Sequence, residues 1–98
     1  MGKIYVGQTQ LRIIVDTGVD ITDALALKIK YIKPGASAPA EFPGVELVVL
    51  DGTFYYDIIS EDDLDEAGLW VFWGWVNFVD GREAPGEPQS VRIYERGK

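Results

Sequence analysis

Residues 69–79 read LWVFWGWVNFV and hold all three tryptophans of this 98-residue chain. The stretch is apolar on both of its alternating faces, which is typical of a strand that is covered on both sides. One face comprises Trp70, Phe72, Val76 and Phe78, and the other comprises Val71, Trp73, Trp75 and Asn77. Gly74 lies on the first face, where a missing side chain usually marks a bulge or the close approach of another side chain. We therefore interpret the stretch as the central strand of a β-sandwich.

Six other segments have the patterns of short strands. They are residues 3–6, 10–16, 24–32, 45–50, 53–59 and 90–95. The third segment also suits a helix, but its apolar residues alternate with Lys28 and Lys30 at the period of two that favours a strand. Asp51-Gly52 predicts a hairpin turn between the fourth and fifth segments.

The connections between these segments are rich in turn-forming residues. Residues 34–44 hold three prolines and two glycines, and they predict a loop that cannot be a central strand. Residues 61–68 predict an acidic turn, and residues 84–88 predict another turn. Short strands separated by turn signals, without a credible helix, predict an all-β antiparallel sandwich. The length suits a single domain spanning residues 1–98.

The composition argues against several classes of function. The chain has no cysteine and no histidine, so disulfides, thiolate metal sites and Ser-His-Asp or Cys-His arrangements are impossible. The net charge of −7 disfavours nucleic acid, whose phosphates need clustered lysine and arginine. No catalytic or metal-ligand pattern emerges, and we expect neither an enzyme nor a cofactor.

The start of the chain, MGKIYVGQTQ, lacks a basic region followed by an apolar run, so we expect no signal peptide. The longest apolar run is the tryptophan stretch of about eleven residues, which is too short to span a bilayer as a helix. We therefore expect cytoplasmic synthesis and no membrane partner.

Residues 64–70, LDEAGLW, resemble the corner at the start of the sixth strand in immunoglobulin-like domains. In such corners an acidic residue, a small residue or glycine, and then an aromatic residue mark the crossing between the sheets. The resemblance implies an immunoglobulin-like antiparallel β-sandwich of about seven strands. Trp70 stands where a tyrosine often stands, so its indole N–H needs a buried partner. We predict that Trp70 is deeply buried and donates to the backbone.

A wider resemblance covers nearly the whole chain. The segments that carry it, in order, are TGVDIT, KIKYIKPG, YYDI, DLDEAGLW, DGREAPGEP and VRIYE. Their order is similar to that of small immunoglobulin-like proteins encoded in phage and prophage structural gene clusters, some of which resemble the N-terminal domain of baseplate upper proteins. The resemblance implies a non-enzymatic assembly or adhesion module that is associated with a virion tail or baseplate.

Residues 51–66 hold seven carboxylates and no base. Clustered carboxylates suit Ca²⁺, and a close pair of them suits glycoside hydrolysis. However, the segment lacks the spacing of an EF-hand loop, and the chain shows no cleft-forming segment. We interpret it as a solvated turn, assign no metal site to it, and predict that it does not bind Ca²⁺ tightly.

Val71, Trp73 and Trp75 are the candidate partner-binding residues. If the Trp70 side faces the core, these three point the other way, where strands normally carry polar residues. Three interpretations remain open: a protein partner, which is a second copy or a virion component; a covering loop of residues 36–43 with Phe42; and stacking on a sugar. The enrichment of tryptophan at interfaces favours the protein partner, and a carbohydrate-binding module is the alternative function.

Lys28, Lys30 and Lys33 form a basic stripe on one predicted strand. Residues 41–98 carry four bases and thirteen acids, a net charge of −9. We therefore interpret the stripe as a charge match within the molecule or between subunits rather than as a phosphate site.

Overall fold

The computed structural model describes residues 3–97 and places nine β-strands there. The strands are β1 (Ile4–Tyr5), β2 (Leu11–Asp16), β3 (Ala24–Ile32), β4 (Ala40–Pro43), β5 (Val45–Val48), β6 (Thr53–Ile58), β7 (Gly68–Phe78), β8 (Glu83–Pro85) and β9 (Gln89–Tyr94). One turn of 3₁₀ helix, Val49–Asp51, lies between β5 and β6. The strands form two sheets around one hydrophobic core. The prediction of an all-β sandwich is confirmed.

The larger sheet has the order β1-β9-β7-β3-β4, and β8 pairs with β7 beside β9. The smaller sheet has the order β2-β6-β5. β7, which carries the tryptophans, is therefore a central strand as predicted. The expected purely antiparallel pairing is wrong at one place, because β1 and β9 run parallel, with Ile4 opposite Ile93. A parallel pair needs a long connection, and nearly the whole chain separates these two strands.

Two strands lie in segments that were predicted to be loops, so the described part of the chain has nine strands rather than about seven. β4 lies within the proline-rich residues 34–44, and it is an edge strand next to β3. Pro43 is tolerated there because one side of an edge strand needs no donor for the sheet. β8 pairs only with β7, through Trp75 and Pro85, Val76 and Ala84, and Asn77 and Glu83.

The predicted hairpin at Asp51-Gly52 is confirmed, although its turn is longer than two residues. The 3₁₀ turn replaces the last part of the predicted strand 45–50, and Gly52 follows it with φ +78°. That conformation is costly for residues with a Cβ atom and suits glycine. β5 and β6 pair antiparallel across this turn, with Val48 opposite Thr53.

The two sheets approach each other closely at Gly74. A Cβ atom built on Gly74 would lie 3.0 Å from Phe54 Cζ and 3.0 Å from Val15 Cγ2. Both of these residues belong to the smaller sheet and are buried. The interpretation of Gly74 as a point of close approach is therefore confirmed.

Trp70 is fully buried, and its indole N–H donates to the carbonyl oxygen of Glu66 at 3.0 Å. Its ring stacks on Tyr31 with a centroid separation of 5.4 Å and an interplanar angle of 27°. Both parts of the prediction for Trp70, burial and a backbone acceptor, are confirmed. Within residues 3–97 the chain forms no helix of the length and hydropathy that a membrane span requires.

Candidate partner-binding surfaces

The outer side of β7 carries the predicted partner-binding residues. Val71, Trp73 and Trp75 are half-buried, whereas Trp70, Phe72 and Val76 on the opposite side of the strand are buried in the core. The two faces of β7 are therefore separated as the alternation predicts. We call the surface formed by Val71, Trp73 and Trp75 the tryptophan face.

Lysine side chains of β3 flank the tryptophan face. Lys30 lies opposite Trp73 and Lys28 lies opposite Trp75 in the pairing of β3 with β7. The Lys30 ammonium group is 4.1 Å from the centroid of the Trp75 ring, which is a cation–π contact. The tryptophan face thus combines apolar rings with positive charge in a chain whose net charge is −7.

Phe42 does not lie over the tryptophan face, so the interpretation in which this ring covers Trp73 and Trp75 is wrong. Phe42 belongs to β4, pairs with Ile29, and is buried on the core side. Its ring stacks between Tyr31, at 4.4 Å, and Tyr56, at 4.5 Å. The reason is the pairing of β4 with β3, in which Phe42 lies opposite Ile29. Residues opposite each other in a sheet point to the same side, and Ile29 points to the core.

The basic stripe is partly matched within the molecule. Lys28 forms an ion pair with Glu41 at 3.3 Å, and Lys33 forms one with Asp65 at 2.9 Å. The hydrogen bond with the Asp65 carboxylate raises the pKa of Lys33. Lys30 contacts an aromatic ring instead of a carboxylate, since its ammonium group lies over Trp75.

The acidic segment is a turn that is anchored to the sandwich at several points. Leu64 is buried in the core, and its carbonyl oxygen accepts from the Gly7 N–H at 2.8 Å. The Tyr56 hydroxyl donates to Asp63 at 3.2 Å, and burial, together with the charge of Asp63, raises the pKa of Tyr56. Among residues 3–97 no group of three carboxylates lies close enough to hold a metal ion. That the turn does not bind Ca²⁺ tightly stays a prediction.

A second candidate surface lies on the exposed side and edge of β2. This surface was not predicted from the sequence. The side chain of Ile14 is 56% exposed, between those of Arg12 and Asp16 on the outer side of the smaller sheet. Arg12 donates two hydrogen bonds to Asp57, at 2.7 and 3.1 Å, and its guanidinium lies 3.8 Å from the Tyr55 ring centroid. The hydrogen bond with Arg12 lowers the pKa of Asp57. The signal in the sequence is an isoleucine on the polar face of an alternating strand.

Comparison of the chain with models of protein families, with curated proteins and with solved structures gave no match.

Proposed function

We propose that this protein is a non-enzymatic assembly or adhesion module of immunoglobulin-like architecture. Its partner is a protein, and the tryptophan face is the surface that binds it. The observation that carries the proposal is the row of Val71, Trp73 and Trp75 on the outer side of a central strand. Exposed strand faces normally carry polar residues, and tryptophan is enriched at protein interfaces.

The order of the strands supports an immunoglobulin-like topology. In that fold the third, sixth and seventh strands form one sheet, and the second, fifth and fourth strands belong to the other. Here β7 lies between β3 and β9, while β6 lies between β2 and β5. With β4 and β8 set aside as additional edge strands, six strands have the neighbours expected for that topology, whereas β1 pairs with β9 and not with β2. The hydrogen bond of Trp70 to Glu66 occupies the place of the tyrosine corner.

The chemistry of the tryptophan face favours a protein over a sugar. Stacking on a sugar requires an accessible ring face, and the Lys30 ammonium group already lies over Trp75. An acidic, partly apolar protein surface would meet both the rings and the lysines. Burial of both rings would remove roughly 300–500 Å² of side-chain area at about 150–250 Å² per aromatic. That is a large part of the ~800 Å² that each partner buries in a standard interface.

The resemblance to proteins of phage structural gene clusters favours a virion component as the partner. A module of this kind would attach to another tail or baseplate protein, and its own chain would supply no chemistry. Proteins encoded next to its gene are therefore the first candidates for the partner.

The proposal is tested with the double variant Trp73→Thr/Trp75→Thr, since threonine is compatible with a strand. The products of the neighbouring genes are purified one by one and measured for binding to the immobilised parent and to the variant. We expect one of them to bind the parent, and we expect the variant to lose at least about tenfold in affinity, because two aromatic anchors are absent.

The matched control is Leu50→Thr/Ile59→Thr, which removes two exposed apolar side chains next to the smaller sheet. This control should bind as the parent does. The proposal fails if no neighbouring product binds, or if the tryptophan variant is folded and binds with unchanged affinity. A glycan that quenches the tryptophan fluorescence of the parent would instead identify a carbohydrate-binding module.

A further inference from the structure

One long edge of the smaller sheet is unpaired in the described part of the chain. β2 is hydrogen-bonded to β6 through six residue pairs in regular register, and β2 is the outermost strand on that side. Natural proteins usually protect such edges with charged side chains, lysine above all, or with proline or a bulge. The sequence of β2, LRIIVD, contains neither lysine nor proline, no bulge interrupts its pairing, and its two exposed charged residues, Arg12 and Asp16, have opposite signs.

The backbone groups that point away from β6 belong to Arg12, Ile14 and Asp16. Thr17 N–H donates to the Gly52 carbonyl, so residue 17 directs its hydrogen-bonding groups to β6. These groups alternate along an antiparallel strand, so residues 11, 13 and 15 also bond to β6 and the intervening residues face the unpaired edge. At the end of this edge the Asp16 carbonyl lies close to Gly86, where a Cβ atom would be 3.0 Å from the carbonyl oxygen. The same three residues have exposed side chains on the outer side of the sheet.

We propose that β2 pairs antiparallel with β2 of a second copy of this chain, about a two-fold axis at Ile14. In this register Ile14 lies opposite Ile14 of the second copy, and the exposed isoleucines cover each other. Arg12 lies opposite Asp16 of the second copy, and the symmetry repeats this ion pair on the other side of the axis. The two smaller sheets become one continuous sheet of six strands.

The charged residues of β2 favour a second copy of this chain as the binding partner, and they favour one register of the antiparallel pairing. An axis at Arg12 would set two arginines opposite each other, and an axis at Asp16 would set two aspartates opposite each other, which is unfavourable in both cases. Only the axis at Ile14 pairs each charge with its opposite. Because the chain has a net charge of −7, a contact between two copies is repulsive unless the meeting surfaces are balanced in this way.

A crevice beside the Asp16 end of β2 adds to the complementarity. Its lining includes Asp16 of β2 and Glu87, which lies in the segment between β8 and β9. Arg12 of the second copy would approach this end of the strand. Its Nε and Nη2 groups donate to Asp57 of its own chain, so the contact with Asp16 falls to its remaining N–H donors.

The proposal is tested with single cysteine variants, since the natural chain has no cysteine. Residues directly opposite each other in a hydrogen-bonded antiparallel pair have Cα atoms about 5.5 Å apart, which suits a disulfide. Ile14→Cys should therefore form a disulfide-linked dimer under mild oxidation. Val45→Cys and Ile59→Cys are the controls, because the parent side chains at these positions are 48% and 80% exposed. We expect about tenfold more dimer from Ile14→Cys than from either control, because only its thiols are held within bonding distance.

A second pair of variants tests the ion pairs without a covalent bond. Asp16→Lys and Asp51→Lys make the same change in net charge at exposed positions, but only the first places a lysine opposite Arg12 of the second copy. In sedimentation equilibrium, Asp16→Lys should weaken self-association roughly tenfold, because both ion pairs become repulsive. Asp51→Lys should associate at least as strongly as the parent. Melting temperatures establish that both variants are folded.

The proposal is overturned if the parent stays monomeric up to millimolar concentration, if the three cysteine variants cross-link equally, or if the two lysine variants associate equally. It does not depend on the tryptophan face. Trp73→Thr/Trp75→Thr should lose its protein partner and retain the dimer, so a failure of one proposal is distinguishable from a failure of the other.

Discussion

At the scale of single residues, Trp70 shows how one side chain fixes the entry to the central strand. The ring is buried between the sheets, and its N–H is satisfied by Glu66, four residues earlier in the acidic turn. A buried indole N–H without an acceptor would be unfavourable, so the carbonyl of Glu66 and the ring of Trp70 determine each other's position. Gly74 constrains the same strand, because a side chain at this position would collide with Phe54 of the smaller sheet.

Two substitutions separate the two contributions of Trp70. Trp70→Ala should lower the free energy of unfolding by about 3–5 kcal/mol, as for large aromatic truncations in cores. Trp70→Phe keeps an aromatic ring but removes the donor to Glu66, so it should cost less, on the order of 1–3 kcal/mol. Urea denaturation measures the loss of unfolding free energy in each variant, provided that the m-value is the same as in the parent. A negligible loss from Trp70→Phe would contradict the role of the hydrogen bond, and equal losses from the two variants would contradict a separate contribution from burial of the ring.

At the scale of elements, the acidic turn is held by apolar packing more than by its charges. Leu64 is buried beneath the turn, whereas the carboxylates around it are largely solvated. The ion pair of Lys33 with Asp65 is partly exposed, with side-chain exposures of 30% and 44%. Exposed ion pairs contribute roughly 0–1 kcal/mol, and a buried leucine contributes several times more.

The turn therefore provides a second stability prediction. Leu64→Ala should cost about 2–5 kcal/mol, and Lys33→Met should cost less than about 1 kcal/mol, since it removes the charge and keeps a long apolar side chain. Thermal unfolding in low salt and in ~0.5 M NaCl, where the charges are screened, measures both variants. A loss from Lys33→Met that equals the loss from Leu64→Ala would show that charge, not packing, positions the turn.

At the scale of the whole molecule, the two faces of β7 have different roles. The side with Trp70, Phe72 and Val76 holds the sheets together, and the side with Trp73 and Trp75 lies outside the core. We therefore expect folding to depend on only one face of the central strand. The other face, and the free edge of β2, are available for other molecules.

This division predicts the stability of Trp73→Thr/Trp75→Thr. Because neither ring belongs to the core, the variant should remain folded, and its loss of stability should be smaller than the ~3–5 kcal/mol expected for Trp70→Ala. Circular dichroism and melting temperature of the two variants side by side provide the measurement. If the double variant unfolds, the rings belong to the core and the outer face of β7 is not free to bind.

The sequence alone determined the features that depend on local pattern. Alternation and turn residues predicted seven of the nine strands, because side chains on a strand point to opposite faces in turn. The same alternation placed Trp70 in the core and Trp73 and Trp75 outside it. The signal for Gly74 was also local, since a glycine inside an apolar strand usually marks a bulge or a close approach.

The tertiary structure decided what depends on neighbours distant in the chain. β4 and β8 are strands because β3 and β7 offer free edges, although their own residues are rich in turn formers. Phe42 turned to the core because the register with Ile29 directs it there. β2 became an open edge because β1 joined the larger sheet, beside β9, and not the smaller one. Which backbone edge remains without a partner follows from the packing of the whole chain, and no local pattern encodes it.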